Sequence, residues 1–137
     1  MATRSRIGFE TASGAVMHIY CHFDGYLEGV GKALVEEHND IDKAYALVNG
    51  GACRSILNCV VDGPREIQRF SPTEGSGFVP VWSKNRQLYK QDAVNYYEEY
   101  QYLWDNRQAC WLWRKVSGGN WKRVAIALRN SDNQENG

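Results

Sequence analysis

Asp24-Gly25-Tyr26-Leu27-Glu28-Gly29-Val30-Gly31-Lys32-Ala33-Leu34-Val35-Glu36-Glu37-His38-Asn39 is the most strongly patterned stretch of the chain. Leu27, Val30, Gly31, Leu34, Val35 and His38 recur at the spacing that puts side chains on one face of a helix, and Lys32, Glu36 and Glu37 fall on the other. Asp24 stands where an N-cap oxygen would accept from the first-turn amides, and Asn39 closes the helix. A shorter helix follows. Asp40 caps it, Ile41, Ala44, Tyr45 and Val48 form its stripe, and Gly50-Gly51 stop it. Two amphipathic helices with so short a joint are expected on one face of a sheet.

The flanking sequence supplies that sheet. Ile7 and Phe9, then Met17, Ile19 and Cys21, alternate with polar or small neighbours, so Ser5 to Glu10 and Ala15 to Cys21 read as a β-hairpin around Ala12-Ser13-Gly14. Ile56 to Val61 and Glu66 to Phe70 read as strands either side of Asp62-Gly63-Pro64, and Ser71 to Gly77 as a surface loop. Phe78 to Trp82 reads as an edge strand because of Pro80, and Asp92 to Glu98 as a helical turn or two. Tyr100, Tyr102 and Trp104 share one strand face, and Trp111 and Trp113 share another. After a turn at Ser117-Gly118-Gly119-Asn120, Trp121 to Leu128 return as a strand with Val124, Ile126 and Leu128 aligned. The expectation is an α+β fold: an N-terminal β-hairpin, two amphipathic helices and C-terminal antiparallel strands. Residues 1–130 form a single domain and 131–137 a flexible C-terminal tail.

With 137 residues, 43% hydrophobic and 23% charged, the composition is that of a globular chain. No run approaches the roughly 18 apolar residues of a membrane span, and Met1 to Arg6 has no apolar segment behind its basic residues. Cys21, Cys53, Cys59 and Cys110 are expected as free thiols in a reducing compartment. They lack paired ligand spacing, so neither a metal nor a cofactor is expected. Phosphate-loop, dinucleotide-binding and nucleophile-elbow motifs are also missing.

Sixteen basic and sixteen acidic residues cancel, which argues against a broad DNA-binding face or a membrane partner. The cancellation conceals alternation: residues 1–64 and 92–100 are net acidic, and 65–91 and 101–137 net basic. Ten of the sixteen basic residues are Arg, which suits planar recognition of phosphate, and 12% of the chain is aromatic. Trp113 precedes Arg114 and Trp121 stands two before Arg123, an interleaving of rings and charges suited to a nucleotide. A half-buried sheet with aromatics inward and charges outward produces the same spelling.

Between the second strand and the first helix lies Tyr20-Cys21-His22-Phe23-Asp24-Gly25-Tyr26. A strand-to-helix junction presents side chains from rigid supports, and in extended chain His22 and Asp24 point the same way, as a base and its orienter would. The plain reading beside it is a helix cap, a hydrogen-bonded junction histidine and a turn glycine.

The same junction carries a resemblance. Ser5-Arg6-Ile7-Gly8, then Ile19 to Tyr26, then Gly29-Val30-Gly31-Lys32-Ala33-Leu34, resembles a family of small tailed-bacteriophage proteins with the core "YCHWDGYPE..G..L..H". Phe23 stands for the usual Trp and Leu27 for the usual Pro, while Glu99 to Leu103 followed by Trp111 is similar to the family's closing "EY.Y....W". The family's "RDRGE"-like segment is missing, with Ser83-Lys84-Asn85-Arg86-Gln87 as a reduced remnant. The resemblance implies a non-structural accessory protein acting in the host cytoplasm.

The leading expectation is a counter-defence protein that sequesters a small nucleotide-derived ligand, as a homo-oligomer, using Tyr20, His22, Asp24, Tyr26, Arg86, Trp113, Arg114, Trp121 and Arg123. The alternatives are an inhibitor that docks on a host protein through its aromatic and Arg-rich surface, and a small enzyme using His22 and Asp24.

Overall fold

Ser5–Glu10 (β1) is buried along its whole length, so both of its faces must be covered. A computed structural model shows how; it describes residues 3–58, 66–70, 79–94 and 98–136. After β1 come β2 (Val16–Cys21), a π-helical turn (Leu27–Gly31) running into α1 (Lys32–Glu37), α2 (Ile41–Asn49), β3 (Cys53–Asn58), β4 (Glu66–Arg69) and β5 (Val81–Ser83). Then follow α3 (Arg86–Val94), β6 (Tyr100–Asp105), β7 (Cys110–Lys115), β8 (Gly118–Arg123) and α4 (Val124–Asn136). The fold is α+β, and none of the described helices is long and apolar enough to cross a membrane.

All the strands join one sheet in the order β4-β3-β2-β1-β6-β7-β8. β1 pairs antiparallel with β2 and parallel with β6, with Ile7 opposite Ile19 on one side and Tyr102 on the other. The outer edge of β2 is shared: β5 lies antiparallel beside Val16 to His18, and β3 runs parallel beside Cys21. The expected turn Asp62-Gly63-Pro64 and loop Ser71 to Gly77 lie outside the described residues.

One sheet face carries the apolar core. Ile7, Met17, Ile19, Tyr102, Trp104 and Trp111 meet Val30, Leu34, Leu47, Val48 and Val124 from the helical elements. Trp111 and Trp113 therefore lie on the same face as Tyr102 and Trp104, directly opposite them in register, rather than on a separate one. The other face is covered by α3, where Tyr89 packs with Val16, Leu103 and Leu112.

Four local expectations are corrected. Asp24 is not the cap of the first helix: Tyr26 occupies the N-cap position with no side-chain bond, and Asp24 adopts φ 58°. The Asp24 carbonyl accepts from Val30 N–H at 2.9 Å, which widens the first turn. Only glycine fits at position 29, where a Cβ would sit 2.3 Å from that carbonyl oxygen. In α2, Asp40 does cap, accepting from Lys43 N–H at 2.8 Å. The helix is rotated from the expected stripe, burying Ala44, Leu47 and Val48 and leaving Ile41 and Tyr45 exposed. Finally, the last strand stops at Arg123 and α4 runs from Val124 to Asn136, so Val124 is buried while Ile126 is exposed. The turn before β8 is Val116-Ser117, two positions before the expected Gly118-Gly119 centre, since Lys115 already pairs with Gly118.

The central contact of the second face is Gly8 against Tyr89. A Cβ on Gly8 would lie 2.8 Å from the Tyr89 ring, whose hydroxyl donates to the Tyr102 carbonyl at 2.6 Å. Overfilling such a contact costs about 1–3 kcal/mol. Gly8→Ala is expected to lose that much in urea unfolding, and much less in a Tyr89→Ala background, because the two sites are coupled. Equal losses in both backgrounds would show that the ring does not set the limit.

Candidate functional site

Under α3 and β5 lies a buried polar layer. Arg6 Nε donates to both oxygens of Glu98, at 2.9 and 2.8 Å, and Arg6 Nη1 lies 3.0 Å from His18 Nδ1. Arginine only donates, so His18 Nδ1 must accept and Nε2 must carry the imidazole proton. His18 Nε2–H then donates to Ser83 Oγ at 2.7 Å, and the Ser83 hydroxyl donates to Asp92. Every proton in the chain Arg6–His18–Ser83–Asp92 points the same way. A serine nucleophile needs the reverse direction, with the imidazole as acceptor. The serine and histidine are buried, at 4% and 1% exposure, and the chain fastens β5 and α3 to the sheet.

The exposed counterpart lies on the same face, at the end of β2. Arg6 pairs with Tyr20 in the register, so Arg4 and His22 continue the same face beyond them. The Tyr20 hydroxyl and His22 Nδ1 form a hydrogen bond of 2.6 Å. His22 and Phe23 extend the β2–β3 pairing through N–H bonds to the Cys53 and Arg54 carbonyls. Cys53 faces the apolar core, so Arg54 points to the opposite side, where its guanidinium lies 4.6 Å from the centre of the Phe70 ring. Phe70 stacks with Tyr20 at 6.2 Å, and Phe23 meets His22 edge-on at 4.5 Å. Burial, then the nearby Arg4 and Arg54, hold His22 below its ordinary value, which favours the neutral ring. Rings and guanidinium groups from β1, β2, β3 and the end of β4 thus meet on one partly exposed surface.

The residues singled out from the sequence scatter. Tyr20 and His22 come together, and Asp24 accepts from the Tyr26 hydroxyl at 3.2 Å, giving two separate pairs. No hydrogen bond or ion pair joins His22 to Asp24 among the described residues, so the base-and-orienter arrangement is not formed. Arg86 is at the other end of the sheet, beside a cavity of about 440 Å³, with its guanidinium on Glu10 (2.5 and 2.8 Å) and Asp105 (3.1 Å). Two carboxylates already occupy that fork. Trp113 and Arg114 point to opposite faces of β7. The Trp113 ring lies under Lys122, while Arg114 donates to Gln101 and lies near the Trp121 ring, which stacks on Tyr89. Arg123 donates to Gln108. Trp113, Arg114 and Trp121 are used in packing the sheet, Arg123 is exposed at its end, and the four do not converge on one surface.

Sequence reasoning missed Arg4, Arg54 and Phe70 as neighbours of the junction, and it quoted Phe23 there without naming it among the site residues. Arg4 was within reach, because hairpin register carries it opposite His22. Arg54 and Phe70 arrive from strands whose pairing no local pattern shows. Among the described residues, no cluster of His, Cys, Asp and Glu is placed to hold a metal ion. Comparison of the chain with protein-family models, with curated proteins and with solved structures gave no match.

The buried layer makes stability depend on pH. Burial first, then Arg6, push His18 down to about 3. A folded pKa below the unfolded one gives stability that is complete above pH 6.5 and is lost as pH falls towards 3. Burial lifts Glu98 to about 7 against the pull of Arg6, which acts oppositely between pH 7 and 4.5. The readout is therefore a difference. The unfolding free energy of the wild type minus that of His18→Gln should fall steadily from pH 6.5 towards 3, and a flat difference would refute a neutral buried imidazole.

Proposed function

We propose that the protein binds a small nucleotide-type ligand on the surface formed by Arg4, Tyr20, His22, Arg54 and Phe70. The observation that carries this reading is the Arg54 guanidinium stacked over Phe70 beside the Tyr20–His22 pair. A base requires a flat apolar partner, worth about 1–3 kcal/mol, and a phosphate requires the planar fork of an arginine. With Nδ1 held by the Tyr20 hydroxyl, His22 has its Nε2 to offer the ligand a further hydrogen bond. With the phage-family resemblance, the reading is of a non-structural accessory protein that sequesters a nucleotide-derived signal in the host cytoplasm, as a homo-oligomer.

Calorimetry against linear and cyclic nucleotides, on protein refolded free of carried-over ligand, tests it. At least one nucleotide should bind. Arg54→Gln and Tyr20→Ala should each weaken it by about tenfold or more, and Arg86→Gln should leave the affinity unchanged. Silence across the panel would end this reading.

A second reading, a host-protein inhibitor, draws on a different surface. Trp82 is 58% exposed and is paired with Met17, whose other neighbour Phe9 holds the half-exposed Tyr45 edge-on at 5.5 Å. Trp and Tyr so placed are suited to a protein interface. Capture of one stoichiometric host protein by the wild type, lost in Trp82→Ala, would favour it over the ligand-binding reading.

A further inference from the structure

A second cavity, of about 240 Å³, opens between the end of α1, the start of β7 and the first turns of α4. It shares no residue with the junction surface. Val35, Trp111 and Ile126 supply apolar walls, and Asn39, Arg123 and Arg129 supply its polar groups. Trp111 is fixed there, because it is 1% exposed and its Nε1 donates to the His38 carbonyl at 2.9 Å. Helical spacing puts Ile126 and Arg129 on one side of α4, above Arg123 at the end of β8.

The charge of this cavity is one-sided. No Asp or Glu lines it. Arg123 spends hydrogen bonds on Gln108 Oε1, a neutral acceptor, at 3.1 and 2.5 Å. Among the described residues, neither Arg123 nor Arg129 has a carboxylate within ion-pair distance. This contrasts with Arg6 and Arg86, whose guanidinium groups are matched by carboxylates. Ile126, meanwhile, is left exposed beside the cavity.

We propose that this cavity binds a small organic carboxylate with an apolar body. Its volume of about 240 Å³ accommodates a benzoate-sized acid. The ring or alkyl part would cover Ile126 and lie against Val35 and Trp111, and the carboxylate would face Arg123 and Arg129, whose planar forks match it. Two cationic partners set the preference for an anion, and the apolar walls set the preference for an apolar body.

Benzoate is the probe, with benzamide as its neutral counterpart of the same shape. Titration of the full chain, followed by the NMR signals of the Trp111 indole N–H and the Ile126 methyl groups, should give saturable shifts in the millimolar range. Benzamide should bind at least about tenfold more weakly. Arg123→Gln and Arg129→Gln should each weaken benzoate comparably, with the melting temperature held because both side chains are exposed. Equal binding of benzamide, unchanged binding to the double variant, or no saturable shift would overturn the proposal. The junction variant Arg54→Gln should bind benzoate as the wild type does, which separates this site from the nucleotide reading.

Discussion

Arg6 places a guanidinium inside a strand that is buried on both faces. Removing such a charge from water costs several kcal/mol unless a counter-charge and hydrogen bonds replace the lost hydration. Glu98 supplies the counter-charge with both oxygens, and the His18 lone pair takes a further donor. Once Nδ1 accepts, the histidine tautomer is fixed, and with it the direction in which Ser83 and Asp92 must bond. The same demand is met at the other end of β1, where Glu10 is paired with Arg86. One face of β1 is therefore solved by packing and the other by charge matching, and β5 and α3 sit where the matching requires them.

How much of this could be read beforehand follows from how local each cause is. The hairpin and α2 were legible because their spacing or their cap lies within a few residues. The π-helical turn was not, because its cause is a backbone approach between Asp24 and Gly29. α4 was misread for another reason: Val124, Ile126 and Leu128 satisfy a strand's alternation, whereas the residues packed on the core are Val124, Ala127 and Leu128, a helical set. The expected helix lies later than α3 because, among the described side chains of that short polar sequence, Tyr89 is the buried anchor, although Asn85, which accepts from Leu88 N–H at 2.9 Å, is a usable start signal. At the junction, Tyr20 and His22 were found because residues two apart share a strand face. The arginine beside them comes from β3, and the pairing of Arg86 is not legible because its carboxylates come from β1 and β6.

The aromatic excess divides between architecture and surface. Tyr102, Trp104 and Trp111 fill the core face, and Tyr89 with Trp121, stacked at 6.0 Å, caps the other. What remains partly open is at the end of β2 and along β5. The zero net charge divides similarly, since among the described residues Arg6 and Arg86 are consumed by buried carboxylates. Composition counted these groups as available; geometry shows which were already spent.

The parallel pairing of β1 with β6 has a consequence for the order in which the chain becomes a protein. Arg6 and Glu98 are 92 residues apart, so the charge at the centre of the sheet stays uncompensated until most of the chain has left the ribosome. The hairpin and the first two helices can gather early, but one edge of β1 remains open and its guanidinium remains hydrated. High contact order of this kind slows folding and prolongs the life of an exposed strand edge. Completion of the sheet is thus a late, single closure, and a nascent chain stalled before Glu98 presents a strand that is both sticky and charged.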